Sequence, residues 1–198
     1  SALSCAAFRA LNSCAWTGLS NSEIADLATK SQLMSNCTIT GSMDDNWASL
    51  EPGWKLVDPS MSASDCIIIQ GTMNDSLSVI VGLRGKRSKE ISQTRFSEQH
   101  QIFARSLASI MSGSALDSLS SNGMAVSAAT GDHEALRISN LCIASGAIAS
   151  GISGSGPAIA IVCFEDDAES ISGIIEDMGL LTIHTRFASN ASLFEEVY

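Results

Sequence analysis

The sequence predicts an α+β protein whose second half runs β, helices, β, β, helix, β. Three observations carry that reading. Short apolar runs at Val79–Val81, Ala147–Ile152, Ala158–Phe164 and Leu180–Phe187 have the length and β-branched content of strands. The stretch from Lys89 to about Ser145 is helical in period and divides at Ser112-Gly113 and Gly131-Asp132, so extra helices lengthen the first crossover. Glu165 to Met178 is again helical and stops at Gly179, a glycine of the C-cap type. This is the ferredoxin-like order.

The first half reads as helices followed by strands. Ala2, Leu3, Ala6, Ala7, Ala10 and Leu11 recur at helical spacing, so the chain begins inside a helix without a Met, which predicts an N-terminal truncation. A second helix opens at Asn21-Ser22-Glu23, capped by Ser20 or Asn21, with Ile24, Leu27 and Ala28 as its buried stripe. Thr38-Ile39-Thr40-Gly41 and an acidic turn, Asp44-Asp45-Asn46, come next. Trp54–Val57 and Cys66–Ile69 read as strands broken by Pro59-Ser60. Beyond Val79–Val81 lies a basic loop, and Ile102, Phe103, Leu107 and Ile110 mark one face of the first long helix. The expected domains are 1–75 and 76–198.

Composition narrows the function. The chain has 198 residues, 45% hydrophobic, 16% charged and 5% aromatic, which fits neither disorder nor a coiled coil. With 11 basic and 21 acidic residues the net charge is −10, so neither nucleic acid nor an anionic membrane is an expected partner. A small acidic substrate could still be held by a few local cations. No apolar run reaches the roughly 18–20 residues of a spanning helix, and the N-terminus lacks the basic region of a signal peptide. Six scattered cysteines without a C-x-x-C pair, mostly among apolar residues, predict reduced thiols and a cytoplasmic protein. The three histidines, at 100, 133 and 184, are isolated, and zinc is not expected.

Three motifs could carry chemistry. Gly151-Ile152-Ser153-Gly154-Ser155-Gly156-Pro157 lies between two strands, where glycines let backbone N–H groups approach an anion; a tight hairpin is the competing reading. It is no dinucleotide fingerprint, because Ile159 occupies the third glycine position and a strand follows. Asp44 and Asp45 place like charges side by side, which suits a metal, a proton transfer or a solvated turn. Arg84-Gly85-Lys86-Arg87 with Lys89 is a solvated loop or a dock for a carboxylate or phosphate. It is not a P-loop, since Arg87 stands where a magnesium-binding Ser or Thr belongs.

Ile152-Ser153-Gly154-Ser155-Gly156-Pro157 resembles the third motif of the GHMP small-molecule kinases. Within that superfamily, Thr40-Gly41-Ser42-Met43-Asp44-Asp45 with Ala48-Ser49, and Ala28-Thr29-Lys30 before it, resemble the archaeal type of shikimate kinase. Ser1-Ala2-Leu3 resembles the tail of the second, phosphate-loop motif, and the likeness is collinear over essentially the whole chain. Asn46, where Ala is usual, and Glu51-Pro52-Gly53, in place of a more Gly-rich stretch, depart from the pattern.

The resemblance implies a partial GHMP fold: a remnant of an N-terminal S5-like domain and a C-terminal ferredoxin-like domain with extra helices. It implies ATP-dependent phosphorylation of the shikimate 3-hydroxyl, towards chorismate and aromatic amino acids, with ATP and magnesium (Mg2+) as cofactors. Asp44 is then the catalytic base and Asp45 its catalytic partner. Thr40, Gly41, Ser153, Gly154, Ser155 and Gly156 bind substrate, and Ser1 and Ala2 belong to the nucleotide site. The body of the phosphate loop is expected before Ser1, so the chain by itself is expected to be inactive. Homoserine kinase or another GHMP alcohol kinase, a non-catalytic GHMP-fold binding protein, and a ligand-free ferredoxin-like domain are the competing readings.

Overall fold

The computed structural model describes residues 1–38, 41–86 and 92–189. The chain forms two compact units, Ser1–Met73 with the segment from Ala188, and Asn74–Phe187.

The first unit contains α1 (Ala2–Ala15), α2 (Asn21–Met34), α3 (Asp44–Leu50) and an antiparallel pair, β1 (Trp54–Val57) and β2 (Ile67–Gly71). Helix α2 opens on a capping box: Ser20 Oγ accepts from the Glu23 N–H at 3.3 Å, and the Glu23 carboxylate accepts from the Ser20 N–H at 2.8 Å. Of the two expected caps, Ser20 is the one used. The buried face of α2 is Ile24, Ala25, Ala28, Thr29 and Gln32, whereas Leu27, expected in the stripe, is 37% exposed. Thr29 and Gln32 face inward because their polar atoms are hydrogen-bonded there, which removes the cost of burying them.

The expected acidic turn is instead the first turn of α3. Carboxylates are favourable at that end of a helix, where unpaired N–H groups leave partial positive charge. Cys5, Ile24, Ala28, Trp47, Leu50 and Cys66 form the core of this unit. Ser1 meets Gln32 and Asp45 at one end of the helices, while Asn21 meets Glu51 at the other. Helices α1 and α3 therefore run parallel, and α2 runs against both.

The second unit is β3 (Ser78–Leu83), α4 (Gln93–Glu98), α5 (His100–Met111), α6 (Ala115–Thr130), α7 (His133–Ala144), β4 (Ala149–Ile152), β5 (Ile159–Cys163), α8 (Glu165–Asp177) and β6 (Leu181–Arg186). The sheet order is β4-β5-β3-β6 with every neighbouring pair antiparallel, which is the ferredoxin-like arrangement expected from the sequence. Ile80, Ile159 and Ile161 pack against Ile138 of α7 and Ile171 and Ile175 of α8. The helical stretch breaks at Gln99 as well as at the two expected places. Leu107 is 49% exposed while Ser106 is buried and donates to the Ser118 carbonyl at 3.0 Å, so α5 turns a polar residue towards α6.

Strand β4 is an edge strand, and α6 covers it. Ser120 Oγ accepts from the Ser150 N–H at 3.2 Å, taking up a donor that an edge strand leaves unpaired. The approach requires glycine on both sides, since a Cβ on Gly123 would lie 2.5 Å from Gly151 Cα. Among the described residues, no helix is long and apolar enough to cross a membrane.

Candidate functional site

The start of α1 and the start of α3 meet. Ser1 is the N-cap of α1 and makes no side-chain cap bond to its own helix. Its hydroxyl lies 3.3 Å from both Gln32 Oε1 and Asp45 Oδ2. Asp44 is exposed, and its carboxylate makes no hydrogen bond or ion pair among the described residues. The two aspartates thus differ: Asp45 is engaged by Ser1, and Asp44 is left with its acceptor atoms open.

Asn46 fixes this arrangement from below. It is fully buried, accepts from Gln32 Nε2 at 2.8 Å and from Cys5 Sγ at 3.4 Å, and donates to Thr29 Oγ1 at 2.7 Å. The Thr29 hydroxyl in turn donates to the Ala25 carbonyl at 2.9 Å. One side chain therefore ties α3 to α1 and α2 immediately beside the acidic pair. Asn46 is an internal strut. Ala2 is exposed in the first turn of α1. Gly41 has φ +70° and donates its N–H to Thr38 Oγ1 at 3.1 Å, whereas Thr40 lies outside the described residues.

Ser153, Gly154, Ser155 and Gly156 connect β4 to β5, in the other unit. Ser153 donates its N–H to the Ala158 carbonyl at 2.8 Å, and Gly156 donates to the Ser153 carbonyl at 2.9 Å. The segment is thus a tight hairpin loop, with Gly154 at φ +53° and Gly156 at φ +83°. A Cβ on Gly154 would meet nothing within 4 Å, so that glycine is required by backbone conformation and leaves open space beside the chain. The structure brings Ser1 and Asp45 together; the loop residues form a separate group in the second unit.

Within the basic cluster, Arg84 is committed inside its own unit. Arg84 grips Asp132 with two bonds, at 2.7 and 2.8 Å, and donates to the Pro157 carbonyl at 3.2 Å. Asp132 also caps α7 by accepting from the Ala135 N–H at 3.0 Å. The guanidinium is thereby spent on holding the hairpin loop against the start of α7. Arg87 and Lys89 lie outside the described residues.

All six cysteines are free thiols. Burial pushes the Cys142 thiol up to about 11, and raises Cys5 and Cys163 above the ordinary thiol range. None of these three is a prepared nucleophile. Among the described residues no three or more His, Cys, Asp or Glu side chains converge on one point. Magnesium rarely needs such a cage: one or two carboxylates and phosphate oxygens serve. Asp45 and the Ser1 hydroxyl supply hard oxygen donors of that kind, so the residues present fit the ion.

No protein-family model matches the sequence, and no curated protein matches it either. Solved structures do match, and they share its fold. Mevalonate kinase of L. major in complex with R-mevalonate aligns at TM-score 0.60 and 12% identity, over 94% of this chain and 64% of that one. Homoserine kinase of Cytophaga hutchinsonii aligns at TM-score 0.57 and 14% identity, over 90% and 61%. A phosphotransferase related to the CoA biosynthesis pathway aligns at TM-score 0.65 and 12% identity, over 87% and 57%. The chain has the GHMP kinase type of fold and spans less than two thirds of each of these structures.

Sequence reasoning missed Gln32, Thr29 and the Arg84–Asp132 pair. The signal for the first two was their position on α2 at i and i+3 facing Asn46. For Arg84 and Asp132, 48 positions apart, single-sequence spacing holds no signal.

Proposed function

We propose that the protein is an ATP-dependent kinase of a small alcohol, and that the alcohol is shikimate, phosphorylated on its 3-hydroxyl. The observation that carries the reading is the Ser1–Asp45 contact, which joins the start of α1 to the acidic pair of α3. The fold of small-molecule phosphotransferases supports the reaction class. The Thr40–Asp45 motif supports the substrate.

In this reading the first-turn N–H groups of α1, uncapped by a side chain, face the nucleotide phosphates. Ser1 and Asp45 would hold magnesium, which neutralises phosphate charge when bound. Asp44 accepts the proton of the acceptor hydroxyl as its oxygen bonds to the γ-phosphorus and ADP leaves. Its open carboxylate suits that task better than that of Asp45, which Ser1 occupies. Thr40, Gly41 and the Ser153–Gly156 loop are proposed to bind substrate.

The test is ADP release by the product of the full reading frame that contains this sequence, with shikimate, homoserine and mevalonate offered separately. Preferential turnover of shikimate supports the proposal. Preference for homoserine shifts it to the second reading, which the Ser153–Pro157 motif shared across the superfamily favours. ADP release with none of the three, while ATP or a substrate still binds, identifies a non-catalytic binding protein.

A further inference from the structure

The first unit holds a cavity of about 390 Å³ beside the start of α2 and the end of α3, away from Ser1 and Asp45. Arg9 lies eight residues along α1 from Ser1, about 12 Å at the helical rise of 1.5 Å per residue. Glu51 lies just beyond the end of α3. The volume is within the range of small-ligand pockets.

Its walls carry an unusual charge for a chain of net charge −10. Among the described lining residues the cations are Arg9 and Lys55 and the anion is Glu51, whose Oε1 is already taken by Asn21 Nδ2 at 3.1 Å. The Lys55 side chain is only 6% exposed, so its ammonium has little water to solvate it. Its partners are weak: the Pro52 carbonyl at 3.3 Å, a Glu51 oxygen at 3.5 Å, and the Trp47 ring 5.7 Å away. An ammonium has three protons to donate and is costly to bury when they are poorly used. Arg9 makes no hydrogen bond or ion pair among the described residues, so its donors are unspent as well. Gln70 and Thr72 add neutral polar groups to the lining.

The wall packs closely against β2 at Gly53. Gly53 turns the chain at φ +87°, and a Cβ there would lie 2.4 Å from the Gly71 carbonyl oxygen. Glu51-Pro52-Gly53, the stretch that departs from the shikimate kinase pattern, therefore shapes this cavity and contributes a competing carboxylate.

We propose that the cavity between Arg9, Lys55 and the Glu51–Gly53 turn binds a small anion, a carboxylate or a phosphate. The anion completes the donors of Lys55, recruits the exposed Arg9, and competes with Glu51 for Lys55. The site is separate from the Ser1–Asp45 site, and does not depend on which alcohol the protein phosphorylates.

The test is an NMR titration of the chain with inorganic phosphate and, separately, with acetate, at fixed ionic strength. Saturable shifts are expected at the Gly53 amide and at the side-chain amides of Asn21 and Gln70. Arg9→Gln should weaken binding about tenfold, the size of one charged hydrogen bond. Glu51→Gln keeps the shape and removes the competing charge, so it should tighten binding. Lys55→Met should weaken it too, but this side chain is buried, and the Arg9 and Glu51 variants decide the matter if that one fails to fold. Saturation by phosphate alone marks a phosphate site, and saturation by both anions a general carboxylate and phosphate site. Shifts that never saturate, that chloride reproduces, or that ignore both Arg9→Gln and Glu51→Gln overturn the proposal.

Discussion

Replacing Asn46 by alanine removes the strut beneath the acidic pair. The substitution deletes the acceptor for Gln32 Nε2 and Cys5 Sγ and the donor to Thr29 Oγ1, all buried. Thr29 still donates to the Ala25 carbonyl, so its loss is one ordinary bond of about 1 kcal/mol. The Gln32 amide is left as a buried donor without a partner, which costs roughly 1–3 kcal/mol. Together these predict a destabilisation of about 2–4 kcal/mol. Urea unfolding followed by tryptophan fluorescence is the right assay, because Trp16, Trp47 and Trp54 all lie in the first unit. For an m-value of about 2 kcal/mol/M the midpoint should fall by roughly 1–2 M with the slope unchanged. Asp45→Ala breaks only an exposed contact of 3.3 Å and should move the midpoint far less. A loss below about 1 kcal/mol for Asn46→Ala would show that the network does not hold α3, and the reasoning would fail.

Four further outcomes are expected. Asp44→Asn in the active protein should lower kcat by roughly 10²–10⁴-fold with much less change in KM, measured by coupled ADP release; a loss under tenfold refutes the base. Gly123→Ala should destabilise the second unit by about 1–3 kcal/mol, read by hydrogen exchange in β4, because the new Cβ meets backbone 2.5 Å away. Thiol labelling of the native chain should find Cys14 and Cys37 fast, with Cys5, Cys66, Cys142 and Cys163 slow; early labelling of Cys142 would contradict its burial. Acid should destabilise the fold. Hydrogen bonds from the Ser20 N–H, the Arg137 guanidinium, the Ser78 hydroxyl and the Thr182 hydroxyl hold Glu23, Glu134, Glu165 and Glu176 below the ordinary carboxylate range. Folded values below unfolded ones give stability that is present above about pH 4.3 and lost as pH falls beneath it. Constant urea midpoints from pH 5 to pH 3 would contradict this.

The second unit was legible from sequence because its signals are local. Strand length, breaks at Gly113 and Gly131, and a helix ending before Gly179 are each written within a few residues. The acidic pair was legible as a motif, yet its backbone was misread, since Asp and Asn favour turns and helix starts alike. Leu27 and Leu107 were misplaced for a different reason. Periodicity assumes that apolar side chains face inward, whereas Thr29, Gln32 and Ser106 take the inner positions through hydrogen bonds with residues 12 to 17 positions away. Those partners are unknown until the chain is folded. The same holds for Arg84, which in sequence is one of several neighbouring cations and in the structure is committed to a single carboxylate.

The sheet order β4-β5-β3-β6 places β3 at an interior position, paired on both sides by strands made much later. Ile80 must wait for Ile161 and His184, about 80 and 100 positions further along the chain. At synthesis rates of about 5–20 residues per second, β3 spends several seconds outside the ribosome before either neighbour exists. During that interval Ser78–Leu83 is a β-prone segment, without a charge or proline, whose whole backbone edge is open. The helices α4 to α7 emerge in the meantime. Slow translation between Phe164 and Leu181 would lengthen the strand's exposure on the β6 side.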